Sequence, residues 1–135
     1  SDPLNFAAGN VGGSIKFFYA ATNSLTGEEL WSYDTATSTN TLLRDINSGV
    51  ATSLPRPFIA GSTAFVAATS AAEGRELWKS DGSAAGTVLV RNIATSGSSS
   101  PSNFVTLSTS PLRVLFEANS STSTRQLWRS DGTNA

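Results

Sequence analysis

The residues best placed to do chemistry recur in short phrases. Asp81 and Asp131 each sit in a Ser-Asp-Gly turn, and Asp34 keeps the same offset in an earlier stretch. A calcium loop gathers several oxygen ligands within a few residues, as in Asp-x-Asp-x-Asp-Gly. Each turn here offers one carboxylate plus hydroxyls. Asp81 and Asp131 therefore stand as candidate metal ligands beside the expected role, which is turn stabilisation. Glu28 and Glu29 are adjacent, so in a strand they point to opposite faces and cannot form an acid–base pair. Glu76 with Arg75, and Arg44 with Asp45, read as solvated or rim charges. Serines abound, but a nucleophilic serine needs a positioned base, and the chain has no histidine. No catalytic or cofactor-binding residue is assigned, and the chain reads as non-enzymatic. Trp31, Trp78 and Trp128 could stack on sugar rings, but their regular place beside leucine fits core packing better. Asn119-Ser120-Ser121 is the one N-x-[ST] sequon and marks Asn119 as a candidate glycosylation site. The hydroxyl-rich runs 95–100 and 120–124 could carry O-linked sugars or serve as flexible loops.

Composition narrows the classes further. The 135 residues carry nine Lys plus Arg against ten Asp plus Glu, a net charge of −1, which lacks the basic stripe of a nucleic-acid binder. Cysteine, methionine and histidine are absent, removing thiol chemistry and the usual zinc, haem and iron–sulfur ligand sets. No apolar run approaches the ~20 residues that span a bilayer, and the first residues lack the pattern of a signal peptide.

The strongest signal is repetition. The phrases Glu29-Leu30-Trp31, Glu76-Leu77-Trp78 and Gln126-Leu127-Trp128 place the tryptophans 47 and 50 residues apart. Thirteen residues before each lies the apolar residue of a strand-like run: Phe18, Phe65 and Leu115. Three residues after each lies Asp34, Asp81 or Asp131, and fifteen after the first two lies Ile46 or Ile93. Each unit opens with a proline and, three residues on, a phenylalanine: Pro3 with Phe6, Pro55 with Phe58, and Pro101 with Phe104. The units span 1–50, 51–98 and 99–135, and the third stops before any counterpart of Leu42-Leu43-Arg44-Asp45-Ile46.

Within a unit, short runs rich in Phe, Val, Leu, Ile and Thr alternate with Gly, Asn, Ser and Pro clusters, which predicts strands throughout. In the second unit these fall near Phe58, over 65–69, around 76–79 and over 87–93. Apolar residues sit side by side in Phe17-Phe18-Tyr19, Leu30-Trp31, Leu42-Leu43 and Val88-Leu89-Val90, so both faces of each small sheet must be covered. The predicted fold is all-β, with three consecutive four-stranded blade-like repeats of a β-propeller, the third incomplete. A β-solenoid is the alternative; a single eleven-stranded sandwich would not require such fixed offsets.

The phrase Gly74-Arg75-Glu76-Leu77-Trp78-Lys79-Ser80-Asp81-Gly82-Ser83, followed by Gly86-Thr87-Val88-Leu89-Val90, resembles the bacterial ELWxxDGT repeat family. Unit one departs at Ser32-Tyr33-Asp34-Thr35, and unit three has Thr124 for the glycine and Gln126 for the glutamate. The resemblance implies large, secreted or surface-attached proteins with propeller-like repeats, no enzymatic activity and no catalytic residues.

Two functions follow as expectations. The first is an extracellular structural or adhesive protein that assembles with further blades or copies of itself. The second is a propeller module whose rim loops bind a carbohydrate or peptide. Extra residues before the second strands of units one and three, within 7–14 and 105–111, speak for binding loops. Against a free monomer stands the bulk expected on the outer faces, at Phe17, Leu42, Val114 and Leu127, a patch beyond what soluble monomers usually expose.

Overall fold

The computed structural model describes residues 5–122 and 124–133. Pro3 and Ala135 lie outside them. Eleven strands and no helix occur among the described residues. None of those residues forms a helix long and apolar enough to cross a membrane.

The strands form three antiparallel sheets, each a simple meander in chain order. The first sheet holds β1 (Phe6–Val11), β2 (Ser14–Asn23), β3 (Gly27–Asp34) and β4 (Thr39–Arg44). The second holds β5 (Arg56–Ala60), β6 (Thr63–Ser70), β7 (Gly74–Ser80) and β8 (Val88–Arg91). The third holds β9 (Ser102–Thr109), β10 (Leu112–Asn119) and β11 (Arg125–Ser130). All four strands expected for the second unit are present, and the third unit has three. The register repeats with the sequence: Tyr19 opposes Trp31, Val66 opposes Trp78, and Phe116 opposes Trp128. Even the irregularity repeats, because pairing to the fourth strand shifts between Leu30 and Trp31 and again between Leu77 and Trp78.

The middle sheet is buried on both faces. Successive side chains of a strand point to opposite sides, and β6 shows the consequence. Ala64, Val66 and Ala68 join Phe18, Leu30 and Leu43 in one core, between the first and second sheets. Phe65 joins Val114, Phe116 and Ala118 in the other, between the second and third. The adjacent pair in β7 divides in the same way: Trp78 enters the first core and Leu77 the second. In the middle sheet the side-by-side bulk is thus divided between two neighbours. The first strands lie close together, and Gly9 of β1 lets the backbone approach the Ile59 side chain of β5.

Two expectations need correction. Val114 does not lie on an outer face; it is buried against the second sheet. The extra residues of units one and three form no loops, because β1 and β9 run to two-residue turns at 12–13 and 110–111. The insertions lengthen hairpins instead, since paired backbone satisfies its own hydrogen bonds.

Candidate functional site

The tryptophans occupy one position of the repeat in different surroundings. Each lies in the third strand of its sheet and faces the preceding sheet, where one exists. Trp78 is buried between the first and second sheets, and the Arg44 guanidinium lies 5.7 Å from its ring centre. Trp31 has no preceding sheet and is half-buried. Trp128 packs against the second core but is also half-buried, and its Nε1–H donates to the Ala118 carbonyl at 3.1 Å. Arg44 is exposed as expected, yet its Nη1 also donates to the Thr87 carbonyl across the junction.

The three aspartates shape turns. Asp81 Oδ1 accepts the Ser83 N–H and hydroxyl, and Asp131 Oδ1 accepts the Thr133 N–H and hydroxyl. These bonds hold both carboxyls below the usual range, with the hydroxyl the larger cause in each. Gly86 has no room for a side chain, because the Asp81 carboxylate occupies the place of a Cβ. Asp34 accepts the Ala36 N–H and a 2.5 Å bond from the Lys16 ammonium. Lys16, the Ala36 N–H and Ser14 together bring its carboxyl down to about 2. Among the described residues no three His, Cys, Asp or Glu side chains converge on a point. Asn119 closes β10, half-buried, and its backbone N–H is committed to the Ser99 carbonyl at 2.7 Å.

Glu76 overturns the reading of a rim charge: it is fully buried, as is Glu29. Glu76 accepts the N–H groups of Ile93 (2.9 Å), Ala94 (3.3 Å) and Ser99 (2.9 Å), and the Ser99 hydroxyl at 2.6 Å. Glu29 accepts those of Ile46 (3.0 Å) and Asn47 (3.3 Å), and the Ser53 hydroxyl. Burial pushes the Glu29 carboxyl up, the Ser53, Ile46 and Asn47 bonds draw it back, and the Asp45 charge adds a smaller upward push. Each glutamate thus ties the chain leaving the fourth strand back to the third strand of its own sheet. The serine then reaches forward. The Ser53 carbonyl accepts the Thr69 N–H at 2.8 Å, as the Ser99 carbonyl accepts that of Asn119. Glu-to-Ser-to-next-sheet is the joint of this fold, made twice. Gly74 belongs to the same joint, since its φ is +74° and the Gly97 carbonyl passes where a Cβ would stand.

The third unit lacks that joint among its described residues. Gln126 is exposed, Thr124 stands at the glycine position, and no fourth strand pairs with β11. Leu127 is 69% exposed, whereas its counterparts Leu30 and Leu77 are 0% and 1% exposed. Val105 and Leu107 are exposed beside it, and Leu115 opposes Val105. At the far end of the stack, Phe6, Tyr19, Trp31 and Leu42 form a cross-strand row on the outer face of the first sheet. These outer surfaces are the candidate functional site, and sequence reasoning found it through Leu127 and Leu42. No family model, curated protein or solved structure matches this sequence.

Proposed function

We propose that the chain is a run of blades from a propeller-like repeat protein, non-enzymatic and extracellular, with a structural or adhesive role. The carrying observation is Leu127, exposed where both its counterparts are covered by the next sheet. Within the chain, the leucine-bearing face of one sheet always packs on the tryptophan-bearing face of the next. The uncovered leucine face of the third sheet and the uncovered aromatic face of the first are therefore complementary halves of the same contact. Further repeats, or copies of the chain joined head to tail, would bury both, closing a ring or extending a filament according to the rotation per step. Secretion or surface attachment rests on the ELWxxDGT resemblance and on the low-charge, hydroxyl-rich composition. The binding-module alternative loses its loop argument, because the extra residues lie in hairpins.

The chain has no cysteine, so single introduced thiols report cleanly on geometry. Ile15→Cys places one on the aromatic face and Leu107→Cys one on the leucine face. Mixed under mild oxidation, the two variants are expected to form the crossed dimer in preference to either self-dimer. Predominant self-dimers would contradict the head-to-tail contact.

A further inference from the structure

A cleft of about 680 Å³ opens where the second and third sheets begin, inside the ~300–1,000 Å³ range of small-molecule sites. Its lining includes Arg56, Arg75 and Arg125 together with Phe58 and Phe104, and Phe58 ends a stack that runs through Phe104 to Phe116 with centroids 5.5 Å apart. The arginines differ in what already engages them. Arg125 is neutralised by Glu117 at 3.1 Å, and it also donates to the Ser100 carbonyl and the Ser102 hydroxyl. Arg75 gives one N–H to the Leu54 carbonyl at 2.8 Å, which leaves four of its five donors. It was expected to be solvated, but it is half-buried. Arg56 is exposed, and neither it nor Arg75 pairs with a carboxylate among the described residues. The two lie near enough that the Arg56 charge, after burial, lowers the Arg75 pKa. Like charges drawn together without a counter-ion form a seat for an anion.

The backbone supports the same reading. Among the described residues four non-glycine residues have positive φ, and three of them line this cleft: Leu54 (+48°), Ser100 (+49°) and Asn103 (+56°). Such strained conformations cluster at active sites and ligand clamps. Leu54 and Ser100 precede the repeat prolines, and their carbonyls hold Arg75 and Arg125 in place.

From this juxtaposition we infer a binding site for an acidic saccharide, with its carboxylate on Arg56 and Arg75 and a sugar face against the Phe58 ring. Two guanidinium forks match the planar carboxylate, and the half-buried Phe58 at the end of the stack offers an apolar surface to the sugar C–H groups. Ser100, Ser102 and Asn103 in the lining supply polar groups for sugar hydroxyls. A peptide carboxylate would use the same forks but would leave Phe58 without a ring to cover it.

Titration calorimetry of the full chain against trigalacturonate, its neutral counterpart galactotriose, and triglutamate tests the inference. Trigalacturonate is expected to bind, and more tightly than either of the others. Arg56→Ala should weaken it at least tenfold, and Arg56→Lys should weaken it less. Arg91→Ala, on the exposed side of β8, should leave it unchanged. Circular dichroism checks that each variant keeps the fold, and the Arg56 side chain makes no hydrogen bond or ion pair among the described residues whose loss would unfold it. Equal binding of galactotriose, tighter binding of triglutamate, no binding of trigalacturonate, or an unaffected Arg56→Ala variant would each overturn the site.

Discussion

Glu76 shows what a single buried carboxylate does in this fold. Its two oxygens accept four bonds, three of them from backbone N–H groups that are otherwise shut away from water. Glu76→Gln keeps the shape but replaces one acceptor oxygen with a donor amide, which faces N–H groups and cannot accept from them. The expected cost is about 1–3 kcal/mol in urea denaturation, the usual penalty for stranding buried donors. Gln126→Glu, at the exposed equivalent position, should change stability by less than about 0.5 kcal/mol. The sequence misled here for a physical reason. Three of the four donors to Glu76 are main-chain groups 17 to 23 residues away, and a backbone donor leaves no trace in side-chain patterns. Asp34 supplies a second test at this scale. Its folded pKa of about 2 lies below the ordinary 3.8. Its stabilisation is therefore complete above about pH 4 and is lost as pH falls toward 2. Glu29 works in the opposite sense: its raised folded value favours the native state below its ordinary 4.5 and weakens it as pH rises through that folded value. Melting temperatures between pH 2 and 5 should therefore fall less steeply on acidification for Asp34→Asn than for the natural chain.

Among the elements, β7 is the clearest case of pattern fixing position. Leu77 and Trp78 are adjacent and large, and each fills a different core. Trp78→Ala is expected to cost about 3–5 kcal/mol, the range for a buried aromatic. Trp31→Ala, at the same repeat position but half-buried, should cost distinctly less, and chemical denaturation of both variants measures the difference. The identical phrase hid that inequality, because local sequence cannot say whether a neighbouring sheet is present. Strands carrying Phe, Val and Leu were legible, as at β6 and β8. The extension of β1 through Ala7, Ala8, Gly9 and Asn10 was not. Those residues have little strand preference of their own, and their pairing with β2 holds them. The candidate site was legible as exposed bulk at Leu127, while the joint built on Glu29 and Glu76 was not.

Across the whole molecule, three sheets share two cores and leave two unlike apolar faces open. The inner contacts already show what such faces pack against, since leucine-bearing and tryptophan-bearing sides meet twice within the chain. Among the described residues β11 also has no partner on its outer edge, and such an edge in sheet proteins invites a further strand. A chain with both faces and that edge free should self-associate unless further repeats cover them. Light scattering on the 135-residue chain at micromolar concentration tests this most directly. The expected result is a mass at multiples of 14.0 kDa that rises with concentration and falls back on Leu127→Lys. A stable, soluble species of 14.0 kDa, indifferent to concentration and to Leu127→Lys, would contradict it.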